Sequence, residues 1–311
     1  MNLSEIDFSL NVPNKILYGD DIIFIGSCFS EEIGQKCMKS GLKTTINPYG
    51  VIFHPLAISY LLNQTISESE FQTNIFCRDD VYLDWMCSSS IYAMESLELK
   101  NKLLSIKEDL KKKLKNAKFL IITFGTSYAY YLNDQLVSNC HKMPKNSFSK
   151  RLSSMEEFKN TYAKLIENLR DLNKELIILT TVSPVRHSKD GFIENNRSKA
   201  RLILFCEWLE KKSLAYYLPS YEIVIDLLRD YKYFKADGVH PNEYAIDKVW
   251  DFFKSHLLNP NDLKLLQQVE KYQKEIKHKL IHPESKKSKE FLDKLDELKK
   301  SLLDQNPLIQ L

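Results

Sequence analysis

The sequence predicts an α/β fold: three layers, α/β/α, with a mostly parallel sheet in the middle and a helical hairpin after it. Three observations carry the prediction. The runs at residues 22–25, 119–124 and 176–182 are apolar at most positions, as strands covered on both faces must be. Helical patterns alternate with these runs, as crossover connections require. All three runs end in small residues, Gly26-Ser27-Cys28, Gly125-Thr126-Ser127 and Ser183-Pro184-Val185, at the strand ends where such sheets place ligands.

In chain order, residues 22–25 form the first buried strand. Residues 31–39 form a helix with Ile33 and Cys37 on one face and Gly41 as its stop. Residues 44–46 are a short second strand that ends in the turn Asn47-Pro48-Tyr49-Gly50. Residues 55–63 read as helix, and 71–98 as an aromatic, irregular stretch with weak strand alternation. Residues 100–115 are a helix whose lysines make a solvated face. After the strand at 119–124, residues 154–173 form a helix capped at Ser153 or Ser154. The strand at 176–182 precedes a helix at 195–212, a short strand at 222–226 and a helix at 243–256. From Pro260 the composition shifts to Lys, Glu and Leu. Residues 264–279 and 288–303, broken at His282-Pro283, read as a helical hairpin. The organisation is therefore a domain at 1–259 and an appendage at 260–311. The appendage reads as a brace packed on the domain; the alternative is an element that binds a partner or mediates dimerisation.

The balance of 44 basic and 41 acidic residues leaves a net charge of +3, which gives no case for nucleic acid. No apolar run approaches the length of a membrane span. The start, Met1 to Asp7, lacks the basic flank and apolar run of a signal peptide. The six cysteines fall without short-loop spacing, which together with that start points to reduced thiols and a cytoplasmic location. No Walker or dinucleotide fingerprint is present, and no cofactor is implied.

The chemistry concentrates at two ends of the chain. In Asp237-Gly238-Val239-His240-Pro241 a carboxylate stands three residues before an imidazole, just ahead of a helix. A carboxylate there can bond one ring nitrogen and fix the tautomer, leaving the other to take a proton from a nucleophile. The plainer alternative is capping: a His-Pro pair opening the helix, and Asp237 closing the turn before it. Near the start, the apolar run leads through Gly26-Ser27-Cys28-Phe29-Ser30 into a helix, the geometry of an exposed nucleophile. A Cys28 thiol at a helix N-terminus beside His240 is expected to have a lowered pKa. Ser27 takes its place if the turn shifts by one residue. Cys28 as a merely small, buried turn residue is the structural alternative. Together the two segments read as a hydrolase or acyltransferase; the alternative is a non-catalytic binding protein on the same scaffold, which would keep the cleft and lack a competent nucleophile–base contact.

These residues carry a resemblance. Gly26-Ser27-Cys28-Phe29-Ser30, Asn47-Pro48-Tyr49-Gly50, Phe124-Gly125-Thr126, Asn139-Cys140-His141-Lys142, residues 181–187, Ser198-Lys199-Ala200, Pro219-Ser220-Tyr221-Glu222, Asp237 and His240-Pro241 follow in order. In this the chain resembles the GSCFA-domain proteins, a branch of the SGNH (GDSL-like) hydrolase superfamily. Ser30 stands where that family usually has Ala. The resemblance implies ester cleavage or acyl transfer, on an acylated carbohydrate or another small acyl ester, through a Cys/Ser-His-Asp triad. It lays the superfamily's nucleophile on Cys28 and its Asp-x-x-His motif on Asp237 and His240. The glycines of the second and third motifs fall on Gly50 and Gly125. The third motif's Asn, an oxyanion donor, falls on Ser127, a departure for which Asn139 or Asn47 is the substitute.

The remaining polar clusters are weighed against their plainer readings. Asn139-Cys140-His141-Lys142 lacks the four spaced ligands of a structural metal site, so no metal is implied and a substrate-facing loop is the reading. Arg186-His187, after a strand end, suits an anionic or sugar substrate, or a solvated loop. Lys199 lies in a helix; one reading has it reach the site, and the plainer one is a solvated surface lysine. His54, His256, His278 and His282 carry no partner signal and read as structural.

Overall fold

The computed structural model describes residues 8, 10–277 and 281–311. The N-terminal residues 1–7, His278 and the predicted end of the helix at 278–279 lie outside the described residues. Five strands make one parallel sheet. In chain order they are β1 (Ile22–Gly26), β2 (Thr44–Ile46), β5 (Phe119–Phe124), β9 (Ile177–Val182) and β10 (Tyr216–Tyr217), with β3, β4 and β6 to β8 lying outside the sheet. Their spatial order is β10-β9-β5-β1-β2.

The alternation of side chains along these strands builds two cores. Ile23, Ile25, Leu120, Ile122, Phe124, Ile178 and Val182 point to one side. There they meet α2 (Pro55–Ile66), α3 (Ser96–Asn116), α4 (Met155–Leu172) and α5 (Phe192–Lys211). Ile22, Phe24, Ile121 and Leu179 point to the other side, against α1 (Cys28–Lys39) and α7 (Glu243–Leu257). The result is the three-layer α/β/α arrangement expected from the all-apolar runs. The C-terminal helices α8 (Leu263–Glu275) and α9 (Lys286–Gln305) add Leu266, Val269, Leu295 and Leu302 to the second core. Glu270 of α8 accepts from Ser40 Oγ at 2.8 Å and from Trp250 Nε1 at 3.0 Å, and Gln310 N donates to Gly41 O at 2.9 Å. No described helix is long and apolar enough to cross a membrane.

The strand expected at 222–226 is corrected. Residues Ser220–Glu222 (α6) continue as a π-helical segment over Ile223–Leu228, and the edge strand is Tyr216–Tyr217 instead. The reason is packing: neighbours Ile223 and Val224 are buried in the same core, which a strand would send to opposite faces. Burial on one side overrides their β-branched preference.

Two small antiparallel sheets stand at the strand-end edge. β3 (Ile75–Arg78) and β4 (Val81–Asp84) are joined by Asp79-Asp80, and β6 (Tyr128–Leu132) and β7 (Gln135–Val137) by Asn133-Asp134. All four turn residues have positive φ, as two-residue hairpins of type I′ demand. β8 (Ser149–Leu152) pairs with the other side of β6.

Candidate active site

β1 ends in an elbow that only glycine can make. Gly26 has φ +142°, and a Cβ there would stand 2.2 Å from Thr123 O on the neighbouring strand. The elbow is held by Gly26 N to Asn47 Oδ1 (2.8 Å), Ser27 N to Thr123 O (3.1 Å) and Ile52 N to Gly26 O (3.0 Å). Ser27 is the N-cap of α1; its buried Oγ accepts from Phe29 N at 3.2 Å. Cys28 is the first helical residue, half-buried, and its N–H belongs to the first-turn donors that helix geometry leaves unpaired. Ser30, the departure from the family pattern, is buried and donates to Thr123 Oγ1 at 2.6 Å.

The opposite wall is the loop before α7. Asp237 Oδ1 accepts from Val239 N (2.8 Å) and His240 N (3.0 Å), and Oδ2 lies 2.7 Å from His240 Nδ1. Asp237 thus closes the turn and orients the ring at once. The backbone N–H groups of His240 and Val239, then the ring itself, hold its carboxyl well below the usual carboxylate range. His240 does not cap the helix: Asn242 does, through Oδ1 accepting from Ala245 N at 3.1 Å. Nε2 of His240 therefore has no partner among the described residues. Gly238, at φ +64°, gives the turn its left-handed step.

Both walls face one cavity of about 420 Å³. Ser27, Cys28, Asp237 and His240 line it together, with Arg186 and His187 from the β9–α5 loop. Thr126, from one of the strand ends expected to face a ligand, lines it too, and further surfaces come from residues that sequence reasoning passed over: Val51 and Phe53, and Tyr128 and Tyr130 of β6. The alternating aromatics of β6 and its Asn-Asp turn were the available signal for them. Arg186 stacks over the rings of Tyr231 and Phe234, 5.0 and 4.9 Å away, and its N–H donates to Val239 O. His187 is driven down to about 4, first by burial and then by the charge of Lys199.

Several expected site residues lie elsewhere. Gly50 spends its N–H on Asn47 O (2.7 Å), and a Cβ on it would strike Ser88; it does not border the cavity. Asn47 supports the elbow from behind. Asn139 and His141 form a separate knot beneath the β3–β4 hairpin. Asn139 Oδ1 accepts from His141 N, and the His141 ring lies between Ser89 Oγ (2.8 Å) and Asp84 O (3.0 Å). Gly125 sits behind the cavity, donating to Phe53 O. Ser127 faces α5: its N–H donates to Ser198 Oγ (2.7 Å) and its Oγ to Ser198 O (2.8 Å).

Two expectations about charge are also corrected. The Cys28 thiol is raised rather than lowered, because burial and then Glu31 and Glu32 outweigh the helix terminus. Lys199 is not a surface lysine. It is 1% exposed, and its Nζ donates to Gly125 O and Ser183 O, both at 2.6 Å.

A parallel sheet with helices on both faces, a glycine elbow carrying Ser27 and Cys28 at one strand end and an Asp-anchored imidazole across the same cleft define an α/β protein built around a strand-end site. The chain belongs to the GSCFA family, whose model matches residues 21–253. No curated protein matches it.

Proposed function

We propose that the chain is an SGNH-type ester hydrolase or acyltransferase, with Cys28 as nucleophile, His240 as base and Asp237 as the group that orients it. The observation that carries this reading is the cavity shared by Cys28 and an imidazole whose Nδ1 is fixed and whose Nε2 is open. Cys28 is favoured over Ser27 because Ser27 is buried and occupied as the cap of α1.

The raised thiol decides how the residues cooperate. A thiol that rests neutral must lose its proton as it attacks, so His240 acts as a general base in that step. Sγ bonds to the acyl carbon while its proton passes to Nε2. The alkoxide oxygen then leaves with that proton, and a thioester remains on Cys28. Water or an acceptor hydroxyl, deprotonated by His240, then attacks the thioester carbonyl; the C–S bond breaks, the acid or new ester leaves, and Sγ takes the proton back from His240. The N–H of Cys28 at the start of α1 suits the developing oxyanion. The tyrosines of β6 and the Arg186 side chain give the cavity surfaces for a ring and for polar substituents, as an acylated carbohydrate would need.

The test is turnover of p-nitrophenyl acetate and butyrate by the wild type and by Cys28→Ala, Ser27→Ala and His240→Ala, with mass spectrometry for the acyl-enzyme. Turnover lost in Cys28→Ala and His240→Ala but retained in Ser27→Ala supports the assignment. Loss in Ser27→Ala with retention in Cys28→Ala moves the nucleophile one residue. No turnover and no acyl adduct with any ester would leave a binding protein on the same scaffold.

A further inference from the structure

Lys199 presents a buried positive charge with no carboxylate beside it. Its ammonium meets two backbone carbonyls, Gly125 O at the end of β5 and Ser183 O at the end of β9. No ion pair reaches it among the described residues. An isolated ammonium in the interior is costly even after relaxation, and two carbonyl dipoles offset only part of that. The surroundings hold it firmly: Ser198, next to it on α5, clamps the Thr126-Ser127 turn through three contacts of 2.7 to 3.0 Å. Ser183 and Thr126 also line the cavity that Cys28 lines, so the ammonium lies just behind that wall.

The elbow stands beside it. β1 is the neighbour of β5, with Gly26 in register with Thr123, so Cys28 follows the next strand end along from Gly125. The two groups feel each other: the thiolate would raise the proton affinity of Lys199, and the ammonium lowers that of Cys28. Burial, offset in part by the charge of Cys28, drives Lys199 down to about 7. Other charges bear on the pair from each packed element. Glu31 and Glu32 of α1 oppose the thiolate. His187 and Asp190 come from the β9–α5 loop, with Asp190 paired to Lys150 of β8, and Asp237 and His240 stand across the cavity. Lys199 is the cation held on the sheet side of Cys28.

We propose that Lys199 is a positioning residue whose ammonium is the countercharge for the Cys28 thiolate. The proposal extends the reading of Cys28 as nucleophile. The proton leaving Sγ goes to His240, and it is the protonated form of Lys199 that serves as the countercharge. As a merely structural tie, Lys199 would join α5 to the ends of β5 and β9 and leave the titration of Cys28 untouched.

The test needs no ester, so it stands apart from whether the chain is an enzyme. Alkylation of Cys28 by iodoacetamide is followed by peptide mass spectrometry from pH 5.5 to 10, in a Cys77→Ser, Cys140→Ser background that removes the other accessible thiols. Lys199→Met keeps the length of the side chain and removes the charge. Its Cys28 profile is expected to move up by at least about one pH unit, a roughly ten-fold slower alkylation near neutrality, and Lys199→Arg is expected to restore part of the loss. An unchanged Lys199→Met profile in a folded protein overturns the proposal. Should Lys199→Met fail to fold, the parent background decides: a coupled thiol–amine pair spreads its titration over two steps, and a single sigmoid overturns the proposal.

Discussion

Asp237 and His240 are joined twice: Oδ2 lies 2.7 Å from Nδ1 of the ring, and Oδ1 accepts the backbone N–H of the same histidine at 3.0 Å. A single carboxylate thus fixes both the backbone turn and the orientation of the imidazole. Lys235 N to His240 O, at 2.7 Å, and Asn242 N to Tyr233 O, at 2.9 Å, hold the segment from its other side. The open nitrogen of the ring can only be Nε2, the one a nucleophile across the cavity would use.

Asp237→Asn is expected to keep the turn and spoil the ring. The amide oxygen can still accept the two backbone N–H groups, but the charge that favours a protonated Nδ1 is gone. Ester turnover should fall by about a hundred-fold or more in kcat/KM, with little change in melting temperature. Steady-state kinetics beside a thermal melt checks both halves. The wild-type carboxyl, held well below its usual range, stays ionised as the medium is acidified. Its contribution to stability is present above the ordinary carboxylate pKa and is lost only as pH falls through the depressed one. Activity lost at mildly acidic pH must therefore come from another group.

His54 and His187 supply an acid-side weakness of the fold. Burial lowers each from 6.5 to about 4. The unfolded chain binds protons there that the folded chain refuses, so stability is full above about pH 6.5 and declines as pH falls toward 4. His54 is the cleaner probe, because it is 3% exposed, caps α2 and lies outside the cavity. His54→Gln should lose stability at pH 7.5 and yet show a shallower decline between pH 6.5 and 4.5. The difference in slope, on the order of a few kcal/mol across that range, is measured by urea unfolding at each pH.

Gly26→Ala should be among the most damaging single changes. The residue needs a positive φ, and the added Cβ would meet backbone atoms of Thr123, which have no room to withdraw inside a paired strand. A loss of about 3 kcal/mol or more is expected in urea unfolding. Gly191→Ala, where φ is +84° but the space is open, should cost less, and it serves as the control.

The layers were legible because buried parallel strands leave long apolar runs, and β1, β5 and β9 each had one. The segment 220–228 was not, because Ile223 and Val224 look like strand residues until their shared burial is known. At the site, the Asp237–His240 pairing was readable from spacing, since three residues in a turn bring the two side chains together. The burial of Lys199 was not, because α5 is amphipathic in a way that places Asn195, Ser198 and Lys199 inward with the apolar residues. The sign of the Cys28 shift was hidden for a related reason: the helix terminus is visible in sequence, whereas burial and the aim of Glu31 and Glu32 are not. Asn139 and His141 drew notice as a polar cluster and serve the β3–β4 hairpin instead.

The C-terminal helices should prove to be part of the folding unit. Leu302 of α9 is fully buried, and its core also holds Val249 and Phe253 of α7 and Cys37 of α1. Ile309 reaches further, standing where a Cβ on Gly41 would be only 2.7 Å from its Cγ2. Leu302→Ala removes most of a buried side chain from that layer and is expected to cost about 3 kcal/mol, with one cooperative urea transition retained. An element serving only to pair two chains would behave otherwise. Leu302→Ala would then leave the midpoint of a dilute sample unchanged and shift its elution volume in gel filtration. A lowered midpoint at constant elution volume is the outcome expected from a brace, because the leucine is buried within one chain and its loss falls on that chain's own core.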